Sequence, residues 1–136
     1  MFEFYRDIIK QSKKNSLDQE RKLIALAKKG DAKAKDELLL SNISFFIFRI
    51  NTVLYPKLVN QYGEDILQEC LLLASEKIYK YNLRYKNKQG KGQKVYFRSY
   101  IWKSINGLII RSMNDKREKL FSDMSNEDFS WEKRYV

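Results

Sequence analysis

The chain has 136 residues, of which 43% are hydrophobic, with one cysteine, no histidine and a formal net charge of +10. This length suits one domain with a modest core, and the lone cysteine excludes an internal disulfide and fits a reducing cytoplasm. One proline and five glycines leave few breaks in the chain, which favours helices over a turn-rich β fold.

The spacing of apolar residues predicts helices over about 3–13, 17–29, 32–54, 65–80 and 95–116. Ser16 and Gln19 form a capping-box pattern at the start of the second helix, and Asp31 is an N-cap for the third. We expect the third helix to be the core spine and to end before Pro56, with Gly63 in the connection that follows. The prediction is an all-α single domain of about five helices over 1–119, followed by a short polar tail over 120–136.

No apolar run approaches the roughly 20 residues that span a bilayer, and the N-terminus shows no signal-peptide pattern. We therefore expect a cytoplasmic protein without a membrane partner. Enzyme activity is not expected either, because there is no imidazole base and Cys70 lies in an apolar helical stripe. Gly90 and Gly92 form only a GKG, without a P-loop pattern. The sequence predicts no catalytic residue, no metal and no cofactor.

The positive charge is concentrated in one stretch. Residues 83–119 hold 11 Lys and Arg against 2 Asp and Glu, a net of +9, whereas 1–82 have a net of +3 and 120–136 a net of −2. Within that stretch, 83–94 contain five basic residues, two glycines and no acid, which predicts an exposed loop. Such a concentration is typical of a surface that contacts a phosphate backbone. A solvated lysine-rich surface is the alternative.

Aromatic residues crowd the start of the last predicted helix. Four aromatics lie within seven positions, interleaved with two cations: Tyr96, Phe97, Tyr100 and Trp102 with Arg98 and Lys103. A helix that also buries its isoleucines has no room to bury all four rings, so some should face solvent. Exposed rings flanked by cations suit stacking on unpaired bases, although any single ring here has the core as its alternative place.

Four segments, taken in order, resemble a known family. They are LDQERKLIALAKKGDAKAKDELLLSN (17–42), DILQECLLLA (65–74), KYN (80–82) and YFRSYIWKSINGLIIR (96–111). The first is similar to a helix that ends in Gly-Asp and leads to a closing Asn, the second to an Asp-Leu-Ile-Gln-Glu run, the third to Lys-Phe-Asp and the last to a Phe-x-x-Tyr helix. Together they resemble region two of bacterial sigma factors over roughly 17–117.

The resemblance implies two binding surfaces. One contacts the clamp helices of core RNA polymerase and consists of Asp65, Gln68, Glu69 and Leu72, for which a solvated helix face is the alternative. The other holds the non-template strand of the minus-ten promoter element. Its phosphate contacts are Arg84, Lys86, Lys88, Lys91 and Lys94, its residues near bases are Tyr96, Phe97, Tyr100, Trp102, Lys103 and Asn106, and Arg98 and Arg111 complete the DNA-binding set.

The chain also departs from the family. Lys103 and Ser104 stand where the family has paired tryptophans, which favours a minimal or divergent factor, such as extracytoplasmic-function, competence or phage late types. The residues after the promoter helix are too few for a helix-turn-helix domain, so we expect a separate subunit or activator to read the upstream element. Phe121, Phe129 and Trp131 of the tail, among acids, predict a docking peptide for it, the alternative being a disordered end.

Two other functions stay open at this point. One is a helical adaptor or anti-factor that binds polymerase or another protein without contacting DNA. The other is a general nucleic-acid-binding protein without a polymerase contact.

Overall fold

The protein is described by a computed structural model over residues 2–11, 14–86, 88–92 and 94–122. These residues form six α-helices: α1 (Glu3–Gln11), α2 (Leu17–Lys28), α3 (Ala32–Ser41), α4 (Ile43–Val53), α5 (Pro56–Lys80) and α6 (Phe97–Ser122). Over the same ranges the only β-structure is an isolated antiparallel bridge between Lys86 and Gly92. The all-α prediction is confirmed, with one helix more than expected.

The predicted helix starts at Ser16 and Asp31 are both present. Ser16 Oγ accepts a hydrogen bond from the Gln19 amide at 3.3 Å, and the Gln19 side chain accepts one from the Ser16 amide at 3.0 Å, so the capping box is complete. Asp31 Oδ1 accepts from the Ala34 amide at 3.2 Å. Each cap satisfies backbone donors that a helix start otherwise leaves unpaired.

The prediction of one continuous spine over 32–54 was wrong, because the helix breaks at Asn42. The Asn42 side chain donates to the Leu38 carbonyl at 2.8 Å, and Ser41 Oγ donates to the same carbonyl at 2.8 Å. Side chains that bond to the backbone in this way compete with helix continuation. The break gives two shorter helices, α3 and α4, in place of the expected spine.

The next helix begins earlier than expected. Pro56 occupies its first turn, where a missing amide costs nothing, and Tyr55 before it is extended. Gly63 lies inside α5 and not in a connection, because the helix already begins at Pro56. A Cβ at this position would lie 2.9 Å from an atom of the Phe2 ring. A glycine here therefore lets the N-terminal residues approach the helix closely.

The core lies between α5 and the helices around it. α5 packs against α2, α3, α4 and α6, and its buried stripe includes Ile66, Cys70 and Ile78. α6 runs to Ser122, past the predicted helix end and past the expected start of the tail at 120. Residues 123–136, which include the tail's Phe129 and Trp131, lie outside the described residues. Among the described helices, none has the length and apolarity that crossing a membrane requires.

Candidate nucleic-acid interface

The positions of the aromatic residues along α6 determine which of them lie in the core and which lie at the surface. Phe97, Ile101 and Ile105 follow one another at four-residue spacing and are fully buried. Arg98 and Trp102 lie one position further along the chain and are exposed, with 40% of Trp102 accessible. The expectation that some of the four rings face solvent is confirmed for Trp102.

Trp102 belongs to a cluster that includes residues of α4. The Arg49 guanidinium lies 4.2 Å from the centre of the Trp102 ring, and Phe45 lies 5.6 Å from it, between ring centres. Arg49 Nε also donates to Asn106 Oδ1 at 3.0 Å. Phe48, which like Phe45 and Arg49 belongs to α4, is 62% exposed. The Arg49 contact is a cation–π interaction, which favours this position of the partly exposed indole.

Two grooves meet on this surface. The first has a volume of about 510 Å³ and is lined by Phe45, Phe48, Arg98, Ser99, Tyr100, Trp102 and Lys103. The second has a volume of about 360 Å³ and is lined by Lys80, Tyr81, Asn82, Tyr85, Val95, Ser99 and Tyr100. Ser99 and Tyr100 line both, so the two grooves adjoin at the start of α6. We call the two together the aromatic groove.

Tyr100 lies at the centre of the aromatic groove. It is half-buried and meets the Tyr81 ring edge to face, with 5.2 Å between ring centres. Burial raises the pKa of Tyr100 above its ordinary value. The phenol is therefore protonated at neutral pH and can donate a hydrogen bond to a ligand in the groove.

The predicted basic loop is exposed, as expected. Its five cations all have accessible side chains: Arg84, Lys86, Lys88, Lys91 and Lys94. Gly90 provides a left-handed turn at φ +79°, close to the bridge that pairs Lys86 with Gly92. Lys94 forms an exposed ion pair with Asp18 at 3.6 Å. The loop therefore presents its charge to solvent, and one of its residues, Tyr85, lines the groove.

Some predicted DNA-binding residues occupy other environments. Phe97 has no exposed surface, so its ring is part of the core and does not reach a base. Asn106 is half-buried, and its amide oxygen already accepts from Arg49. Tyr96 is also half-buried, with the Arg98 guanidinium 4.2 Å from its ring centre. Lys103 and Arg111 are exposed on α6, as the prediction requires.

The four residues predicted to contact polymerase divide into two groups. Asp65, Gln68 and Leu72 share an exposed face of α5, where Leu72 is 68% accessible. Glu69 points to the side and accepts a hydrogen bond from Ser112 Oγ of α6 at 2.6 Å. Glu69 therefore joins α5 to α6. Gln68 Nε2 donates to the Tyr5 hydroxyl of α1 at 3.1 Å, and Asp65 and Leu72 have exposed side chains.

Charged residues of α2 contact the segments that flank the groove, and the sequence analysis did not predict these contacts. Glu20 is only 4% exposed, and its carboxylate accepts from the Phe97 amide at 2.5 Å. Burial raises the pKa of Glu20, against the opposing effects of that hydrogen bond, the Arg98 charge and a hydrogen bond with Asn42. The only sequence feature that could have indicated this role is an acidic residue within the amphipathic second helix. Such a residue usually lies at the surface, so its burial was not predicted.

Cys70 is part of the core. Its thiol is fully buried, and burial, aided by the nearby Glu69 charge, raises its pKa to about 12. A thiol in this state is a poor nucleophile. No cluster of His, Cys, Asp or Glu that could hold a metal ion occurs within the described ranges.

Comparisons of the chain with protein-family models, with curated proteins and with solved structures find no match.

Proposed function

We propose that this chain is a minimal sigma-like transcription initiation factor, which binds core RNA polymerase and holds the melted non-template strand of a minus-ten promoter element. The observation that carries the proposal is the aromatic groove, whose two parts meet at Ser99 and Tyr100 and whose described lining includes cations and no carboxylate. An unpaired strand offers flat bases and phosphates in alternation. The lining of the groove combines aromatic rings, which suit the bases, with cations, which suit the phosphates.

The rings supply sequence-tolerant affinity for the bases. Tyr85 and Trp102 are exposed and line different parts of the groove, and Tyr100 lines both parts. Stacking of a base on an aromatic side chain contributes about 1–3 kcal/mol. Because a base in a duplex is already stacked and paired, this gain favours the open strand over the closed duplex.

The cations supply the phosphate contacts. Arg98 and Lys103 line one part of the groove. Tyr85 of the loop lines the other part, and the loop cations Lys86 and Lys88 that follow it are exposed. Charge of this kind contributes affinity that is independent of sequence and decreases with salt. The proposed action is therefore stabilisation of a melted strand, with no bond made or broken.

The polymerase contact rests on a different part of the chain. It is supported by the resemblance of 65–74 to the family's Asp-Leu-Ile-Gln-Glu run and by the exposure of Asp65, Gln68 and Leu72 on one face of α5. An exposed leucine among polar residues fits the centre of a small protein contact.

The test has two stages, both with the full chain. Immobilised protein is incubated with core RNA polymerase, and the complex is then assayed for opening of promoter DNA with a fluorescent base in the minus-ten element. The proposal expects retention of polymerase and strand opening that depends on the chain. Retention of polymerase without binding of the strand would identify an adaptor or anti-factor. Binding of the strand without retention of polymerase would identify a general nucleic-acid-binding protein. Either result would overturn the proposal.

A further inference from the structure

We infer that three charged residues of α2, Glu20, Arg21 and Lys28, are positioning residues that hold the two ends of the 82–96 loop together and so set the shape of the aromatic groove. We call these three residues the α2 brace. The inference rests on the proposed function, since it gives the brace a role in strand binding. The contacts themselves are intramolecular.

Two members of the brace hold the beginning of the loop. Arg21 Nη2 donates to the Leu83 carbonyl at 2.6 Å, and Lys28 Nζ donates to the Tyr81 carbonyl at 2.6 Å. Tyr81 is the C-cap of α5, so its carbonyl has no helical donor, and Leu83 lies in the loop that follows. The side chains of α2 supply a donor to each of these carbonyls.

Tyr81 links the beginning of the loop to its end. Its hydroxyl donates to the Val95 carbonyl at 2.5 Å and accepts from Arg21 Nη1 at 3.4 Å. The ring itself is buried and meets Tyr100 in the groove. One side chain thus connects both loop ends, the brace and the groove floor.

Glu20 holds the end of the loop. Its buried carboxylate accepts from the amide of Phe97, the first residue of α6. A carboxylate at a helix N-terminus satisfies a free donor and interacts favourably with the helix dipole. Here the capping side chain comes from a helix 77 positions earlier in the sequence, so the start of α6 is fixed relative to α2.

The loop needs such anchoring because its own charges repel one another. It holds five cations and no acid, and fixing the backbone of its residues costs conformational entropy. A brace that orders the loop ends before binding removes part of this cost from the binding step. Loss of the brace should therefore weaken strand binding even where no group that touches the ligand is removed.

Glu20 provides a matched pair of variants with opposite expectations. Glu20→Ala and Glu20→Gln remove the same negative charge, but only glutamine keeps an oxygen that accepts from Phe97. Simple electrostatics predicts that both variants bind a single strand at least as tightly as wild type. The brace predicts that Glu20→Ala binds on the order of 5- to 10-fold more weakly, while Glu20→Gln stays within about twofold.

The experiment combines two measurements on the full chain. Hydrogen exchange without nucleic acid measures the protection of amides over 81–100 and, for comparison, over 66–78 in α5. Fluorescence anisotropy measures the affinity for a labelled single-stranded DNA. We expect Glu20→Ala to lose protection over 81–100 only and to bind more weakly, and Glu20→Gln to restore both. A loss of protection across α5 as well would indicate general destabilisation and overturn the inference.

Two further variants keep the test decisive if Glu20→Ala folds poorly. Tyr81→Phe removes the hydroxyl that links the loop ends without changing charge, and should weaken binding about two- to threefold. Lys28→Met should weaken binding more than Lys22→Met, which removes the same charge from an exposed position of the same helix. Unchanged affinity in both Tyr81→Phe and Lys28→Met would overturn the inference.

The two measurements also separate this inference from the proposed function. If wild type binds no single strand, the proposed function is wrong, and the groove-shaping role of the brace is judged by exchange alone: wild-type protection over 81–100 in Glu20→Ala overturns it. If wild type binds and Glu20→Ala loosens the loop without weakening binding, the inference is wrong and the proposed function stands.

Discussion

The outer face of α5 and the aromatic groove are neighbours in the fold but opposites in chemistry. Residues 61–76 of α5 hold four acids and no Lys or Arg, whereas 83–114 hold eight Lys and Arg and no acid. The helices that carry the two surfaces, α5 and α6, pack against each other, and Ile66 and Ile105 are among their residues buried in the shared apolar core. A phosphate backbone is attracted by one surface and repelled by the other. The two faces therefore require different partners.

The largest expected effect comes from removing one exposed apolar side chain from each surface. Trp102→Ala should weaken binding of a single-stranded DNA by roughly 5- to 150-fold, the equivalent of one base that no longer stacks. Leu72→Ala, on the α5 face, should leave that affinity unchanged and reduce retention of core RNA polymerase. Anisotropy and pull-down measure the two effects, and equal losses of both in either variant would contradict the separation of the surfaces.

A smaller effect is expected from the charges of the groove side. Removing one cation that touches a phosphate should reduce the slope of log affinity against log salt by about 0.7 for a single strand. Lys86→Gln and Lys88→Gln remove exposed loop cations and should each lower the slope by about that amount. Lys33→Gln removes an exposed cation of α3, away from both grooves, and should leave it unaltered. A salt-independent affinity in wild type would show that the groove binds no phosphate backbone.

Local features of this molecule were predictable from sequence. The caps at Ser16 and Asp31 depend on residues three positions apart, and the concentration of charge over 83–119 needs no structure at all. The core place of Phe97 was also readable, because Ile101 and Ile105 follow it at four-residue spacing in a buried stripe. The prediction that Phe97 lies near bases considered how closely the aromatic residues follow one another. It did not consider which face of the helix each residue occupies.

Contacts between distant residues were not predictable in the same way. Arg49 and Trp102 are brought together only by the packing of α4 against α6, and Glu20 reaches Phe97 only because α2 and α6 both pack against α5. No periodicity in either segment indicates its partner. The break at Asn42 is similar, since a continuous apolar pattern runs through it and the side-chain bonds to Leu38 decide the outcome.

The apolar interface between the two surfaces can itself be tested. Cys70 lies within the α5 stripe, and burial raises its pKa to about 12, so a thiol reagent should modify it only when the helices separate. Trp102→Ala and Leu72→Ala should label as slowly as wild type at pH 8, because neither side chain is part of this interface. Faster labelling of either variant would mean that its binding defect reflects an opened core and not the absence of the exposed side chain.

The smallest expected effect is on stability as a function of pH. Burial raises the pKa of Glu20 in the folded protein above its ordinary 4.5, which applies to the unfolded chain. Between the unfolded-state pKa and the folded-state pKa, the folded protein holds a proton that the unfolded chain has released. Stability from this group is therefore fully present below about pH 4.5 and decreases as pH rises through the folded pKa. Urea unfolding across this range should show the decrease in wild type and a shallower one in Glu20→Gln, which cannot ionise. Asp65→Asn removes an exposed carboxylate from the α5 face and controls for the loss of charge. If both substitutions flattened the profile equally, the pH dependence would not come from the burial of Glu20. The two surfaces would then differ in the charge that they expose but not in a buried acid that stabilises only one of them.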